Sequence, residues 1–152
     1  MKKLKKNNEG FSLVELIIVI AIMAILVGVL APQYLGHVDK TKQSTDIQNA
    51  ESLATEIGVK LAEAEVNGTW VDGTTVNWNS VKTSSTDPTT QIFNVTTVPV
   101  SKKDKNATFY FKIVNNQVYI AIVPSNASNR DDYMVYPSFG GGAKTLYDKI
   151  NK

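Results

Sequence analysis

From Phe11 to Ala31 the chain reads FSLVELIIVIAIMAILVGVLA, and its uncharged stretch from Leu16 to Ala31 runs 16 residues. With Phe11 to Val14 added, it approaches the roughly 20 residues needed to cross about 30 Å of hydrocarbon. Beyond it the pattern changes character. Ile47, Ala50, Ala54, Ile57, Leu61 and Ala64 recur at alternating intervals of 3 and 4, which lines one face of a helix, while Glu51, Glu56 and Lys60 fall on the other faces. A single helix from about Ser12 to Glu65 would be roughly 80 Å long at the α-helical rise, apolar all round in its first half and one-sided in its second. Asn67-Gly68 supplies its stop.

The remainder alternates on a shorter period. After Gly68 the composition turns to Thr, Ser, Asn and Gly with Trp70 and Trp78, which predicts an irregular connector held by two partly buried aromatic anchors. Three strand-like runs follow, Gln91 to Val100, Thr108 to Val114 and Gln117 to Val123. The last two flank Asn115-Asn116, a pair that tolerates the positive φ of a two-residue hairpin turn. Phe109, Phe111 and Ile113 alternate with Tyr110 and Lys112, so one face of the hairpin should cover the helix and the other meet solvent or a neighbour. Gly140-Gly141-Gly142 predicts a hinge before a short helix over 143–151, on which Leu146, Tyr147 and Ile150 share a face. The fold class is α+β: a long N-terminal helix, membrane-embedded in its first half and amphipathic in its second, packed against a small antiparallel sheet.

Charge changes the picture only when it is divided by region. The formal net charge is +2, but residues 1–10 hold four of the 16 basic residues and one of the 14 acidic ones, leaving 12 against 13 and a net charge of −1. A basic leader ahead of an uninterrupted apolar run keeps the leader in the cytoplasm and sends the C-terminal part outward. The balanced remainder lacks the strongly positive face that nucleic-acid binding needs. The chain has no cysteine, which excludes disulfides and thiolate chemistry.

Glu15 interrupts the apolar pattern, and a carboxylate at bilayer depth costs on the order of 3 kcal/mol even on lenient insertion scales. Either it reaches water at the headgroup boundary, or it waits for a cation. If the chain is cut before Phe11, the new α-amino group lies one helical turn away, and a neighbouring copy displaced along an axis can present its own amine. At about 4 Å and an effective dielectric near 20 such a pair attracts by roughly 4 kcal/mol, comparable with the burial penalty, so it sets register more than it adds stability. An ordinary signal peptide is disfavoured, because the site after Ala31 is followed by Pro32 and Glu15 spoils the apolar region.

The stretch Gly10-Phe11-Ser12-Leu13-Val14-Glu15, followed by the apolar run, resembles the N-terminus of the type IV pilin and pseudopilin family. The resemblance covers about 55 residues. It implies that a membrane-embedded prepilin peptidase cuts between Gly10 and Phe11 and N-methylates Phe11, and that Glu15 neutralises a neighbour's N-terminus. It also implies that Gly28 and Pro32 mark where the helix bends or melts on assembly, although Pro32 also suits the simple end of a membrane span. Many Gram-negative members close their C-terminal region with a disulfide, so the lack of cysteine points to a Gram-positive type.

The resulting organisation is a cleaved leader over 1–10, a transmembrane and assembly helix over 11–32, and a head over 33–152. Within the head, the amphipathic helix runs to about 66, a connector spans 67–90, and a sheet with a C-terminal helix fills 91–152. No catalytic constellation is expected: His37 is the one histidine, and the glycine run precedes no phosphate-binding pattern. Asp131-Asp132 lacks the spacing of a calcium loop, so no metal, cofactor or small-molecule substrate is expected. The N-x-S/T triplets at Asn67, Asn94, Asn106 and Asn126 carry no claim of a glycan. The resemblance makes the chain a non-enzymatic subunit that begins in the cytoplasmic membrane and ends in an extracellular pilus for adhesion, motility or biofilm. Its implied partners are other copies, the peptidase, and a membrane assembly platform with its ATPase. A pseudopilin of a secretion or DNA-uptake system, or a tethered binding module that never polymerises, shares much of this pattern.

Overall fold

A computed structural model describes residues 10–88, 90–127 and 129–137. The expected glycine hinge at 140–142 and the helix over 143–151 lie outside the described residues, as do the leader lysines. Helix α1 runs without interruption from Leu13 to Val66, 54 residues. The chain divides into two units, one ending at Asp39 and the other beginning at Lys40.

The first unit, as far as it is described, is the helix alone, and its large apolar side chains from Leu13 to Leu35 are exposed. In the second unit the same helix becomes one-sided. Ala50, Leu53, Ala54, Ile57, Leu61 and Ala64 are buried, and Ile47 packs partly buried against them, which is the stripe that the 3-4 spacing predicts with Leu53 added. The helix ends where expected. Gly68 has φ +67°, and the amides of Gly68 and Thr69 donate to the carbonyls of Glu65 (3.1 Å) and Ala64 (2.9 Å), the pair of bonds that caps a helix through a left-handed residue.

Four antiparallel strands, β1 (Val76–Ser80), β2 (Thr108–Val114), β3 (Gln117–Val123) and β4 (Met134–Tyr136), form one sheet in the order β1-β2-β3-β4. The β2–β3 hairpin closes with Val114 opposite Gln117, and Asn115 and Asn116 both take positive φ, as the two-residue turn demands. Phe109, Phe111 and Ile113 point into the core with Val118, Ile120 and Ile122 from β3. Ile57 from the helix and Ile113 and Ile120 from the sheet are fully buried, each contributing roughly 1.5–3 kcal/mol of transfer free energy. Asn116 fastens the turn to the helix end: its amide donates to Glu65 while its carbonyl accepts from Trp70 Nε1 at 3.1 Å.

Two expectations are corrected. The run Gln91 to Val100 is not a strand: it forms a 3-10 turn over Gln91–Phe93 and then extended chain. Phe93 and Val95 are buried, with the Phe93 ring 5.4 Å from Trp70 and 5.7 Å from Phe111. The backbone partners lie outside any ladder, since the Val95 amide donates to the Lys82 carbonyl at 2.9 Å and the Thr96 amide to Glu56 Oε1 at 2.7 Å. Pro99 further along has no N–H to give. Conversely, the connector contains β1. Its residues Asn77, Asn79 and Ser80 are poor strand formers, and pairing with β2 overrides that preference through a register shift between Val76 and Asn79.

Candidate functional site

Helix α1 begins at a reciprocal cap. Ser12 precedes the first helical residue, and its Oγ accepts from the Val14 amide at 3.3 Å, while Glu15 Oε2 accepts from the Ser12 amide at 2.9 Å. Ser-x-x-Glu at a helix start satisfies orphan amide groups in both directions, worth about 1 kcal/mol. This Ser-x-x-Glu spacing is legible in the sequence. The carboxylate therefore has a partner inside its own first turn, and it sits at the positive end of the helix dipole.

Gly10 and Phe11 lie ahead of the helix in non-helical backbone, and Phe11 is 94% exposed. From Leu13 onward the helix is long and apolar enough to cross a membrane, and none of its most apolar 18-residue window is buried.

Pro32 lies inside α1. It has no N–H, so the carbonyl of residue i−4, which is Gly28, lacks its helical donor. Gly28 and Pro32 are thus the two sides of one missing rung. A Cβ at Gly28 would meet nothing within 4 Å, so contacts within the subunit do not require glycine there.

Asp46, the first buried residue of α1, was not anticipated. It is fully buried, and it accepts from Ser101 Oγ (2.6 Å) and from the amides of Lys102 (2.6 Å) and Lys103 (3.1 Å). Nothing in the local pattern distinguishes it from a solvated acid, because its partners lie more than 50 residues away.

The expected acidic turn at Asp131-Asp132 forms a 3-10 turn over Asp131–Tyr133. Asp131 Oδ1 accepts from Lys112 Nζ at 2.8 Å and from Trp78 Nε1 at 2.9 Å. The Lys112 hydrogen bond and then the Trp78 one hold its carboxyl below the ordinary range, against a smaller opposing effect of burial. Trp78 is half-buried and Trp70 buried, so both tryptophans are engaged within the head. Among the described residues no group of three or more His, Cys, Asp or Glu side chains is placed to hold a metal.

A family model described as a prokaryotic N-terminal methylation motif matches residues 5–31, which takes in Gly10, Phe11, Glu15 and Gly28. The chain carries a prokaryotic N-terminal methylation motif. Part of the chain is also similar to curated proteins. Prepilin peptidase-dependent protein A of Clostridium perfringens is 38% identical over 64 residues, 41% of this chain and 46% of that protein. Type IV major fimbrial protein FimA of Dichelobacter nodosus is 34% identical over 65 residues, 43% of this chain and 41% of that protein. The chain spans less than half the length of these relatives. No solved structure matches it. A long N-terminal helix, whose second half shares its core with a small antiparallel sheet, is the α+β arrangement that the sequence predicts.

Proposed function

We propose that the chain is the precursor of a structural subunit of a type IV pilus, and that it polymerises through residues 11–32. The observation that carries this is a helix with apolar side chains exposed on every side from Leu13 to Leu35 and one acid, Glu15, at its first turn. Such a surface is stable only in a bilayer or against other copies of itself.

The chemistry runs in two steps. A prepilin peptidase hydrolyses the Gly10–Phe11 bond, releases the lysine-rich leader and leaves Phe11 with a free amine, which is then N-methylated and stays cationic. The Ser12–Glu15 cap holds the carboxylate at the very end of the helix, where an adjacent subunit's amine can meet it on leaving the bilayer. An unmatched amine or carboxylate in that oily contact is costly, so only the stagger that pairs them assembles. The missing rung between Gly28 and Pro32 lets the helix loosen there as subunits pack.

The precursor resides in the cytoplasmic membrane and the product on the cell surface, exported by an assembly platform and its ATPase, to serve adhesion, motility or biofilm. The test is electron microscopy of producing cells. Long surface filaments labelled along their whole length by antibody to the head support the proposal; a head that reaches the surface without filaments refutes it.

A further inference from the structure

Between the chain that leaves α1 and the β1 edge of the sheet lies a hollow of about 360 Å³, a volume within the range of roughly 300–1,000 Å³ usual for small-molecule sites. Trp70 and Val76, both nearly buried, and the partly buried Ile92 give it an apolar floor. Thr74, Thr75 and Asn77, all exposed, stand around that floor. Two local features put them there. Gly73 takes φ +81° in the turn where the Thr74 amide donates to the Val71 carbonyl at 3.1 Å, and the pairing of β1 with β2 slips between Val76 and Asn79. Such irregularities at a sheet edge recur beside binding sites because they re-aim side chains. The Asn77 carbonyl accepts from Asn79 Nδ2 at 3.1 Å, whereas the Asn77 carboxamide and the two threonine hydroxyls make no hydrogen bond within the described residues.

None of the described residues that line this hollow carries a charge. Three other hollows on the head, beside Val59, Leu53 and Lys60, each have Glu56 or Glu63 in their walls. An ion entering the uncharged one would lose water with no counter-charge to replace it, so the site selects against ionised ligands. Hydroxyls and a carboxamide both donate and accept, which suits a ligand bearing many hydroxyls, and the apolar floor suits the C–H face of a sugar ring.

We propose that this hollow binds the terminal hexose of a neutral glycan, with Thr74, Thr75 and Asn77 taking its hydroxyls and Trp70, Val76 and Ile92 its apolar face. The sugar is bound and not converted. Every residue concerned lies in the head, so the proposal does not rest on assembly through residues 11–32, and either can fail without the other.

The test uses the full-length chain in a zwitterionic detergent, whose headgroup brings no sugar, and saturation-transfer NMR with the methyl glycosides of glucose, galactose, mannose and N-acetylglucosamine. At least one should bind saturably with a Kd of about 1–10 mM, the scale for so small a ligand, and the anionic methyl glucuronide about tenfold more weakly. Thr75→Val and Asn77→Leu each keep the size of the side chain and remove its hydrogen-bonding group, and each should weaken binding about three- to tenfold. Both positions are exposed, so neither change should alter the Tm. Thr75→Ser, which keeps the hydroxyl, and Thr55→Val, on an exposed position of α1 outside the hollow, should bind as wild type does. Saturable binding by none of the neutral glycosides, glucuronide bound as tightly as they are, or a Kd within a factor of about 1.5 of wild type in both Thr75→Val and Asn77→Leu overturns the proposal.

Discussion

Leu16 and Ile57 sit on one helix, the first 60% exposed and the second fully buried. In the N-terminal unit apolar residues occupy every face, and among the described residues they are exposed. In the head they keep to one face, and the sheet covers it. The difference shows how far one backbone geometry is from fixing a role: the distribution of side chains around it decides whether a helix is a core element or a surface awaiting a bilayer or its own copies. The acids differ in the same way. Glu15 is satisfied by a single amide at an exposed helix start, whereas Asp46 is enclosed with three donors. Glu15 can exchange its partner, and Asp46 is fixed.

Exchanging the two acids' fates separates the regions most sharply. Glu15→Ala should reduce surface filaments by a factor between ten and a thousand, if a pair of roughly 4 kcal/mol is partly offset by desolvation. It should leave the unfolding of the head unchanged within about 0.5 kcal/mol. Filament yield by shearing and unfolding of the detergent-solubilised chain check both halves. Phe111→Ala should do the reverse, costing the head about 3–5 kcal/mol by leaving a cavity beside Phe93, while the precursor still inserts in the membrane. Asp46→Ala is expected to cost about 2–3 kcal/mol, since Ser101 and the Lys102 amide lose their acceptor in a buried place. Gly68→Ala forces a side chain into the left-handed region at +67° and should cost roughly 1 kcal/mol, read as a lowered Tm.

The smallest expected effect is acid-dependent. Asp131 has a folded pKa below its unfolded value, so its contribution is present above the unfolded pKa, near 3.9, and is lost as pH falls through the folded one. Because the carboxylate is largely exposed, screening reduces this to a few tenths of a kcal/mol. Unfolding of wild type and Asp131→Asn should differ slightly at pH 7 and converge as the carboxylate is protonated in acid. A difference that persists at low pH would show that the charge is not what matters.

Periodicity made the long helix, its stripe, its stop at Gly68 and the β2–β3 hairpin legible, because each rests on local spacing or on a turn that few residues tolerate. It failed where partners are remote. Residues 91–100 look like a strand through Ile92, Val95 and Val98, yet their backbone bonds go to Lys82 and Glu56. Strand β1 hides among asparagines and is formed by β2. Of the candidate site, the apolar run, the odd acid and the Ser-x-x-Glu spacing of the cap are all legible in the local sequence. The burial of Asp46 and the convergence of Lys112 and Trp78 on Asp131 are not legible there, since nothing in a linear pattern brings residues 53 or 55 positions apart together.

Mass spectrometry of the N-terminal peptide from filaments sheared off the cell surface tests the central claim most directly. The account predicts a single species that begins at Phe11 with a methylated amine. A chain that still begins at Met1, or one that begins beyond Ala31, would contradict it, because neither carries both the free amine and the apolar helix on which assembly depends.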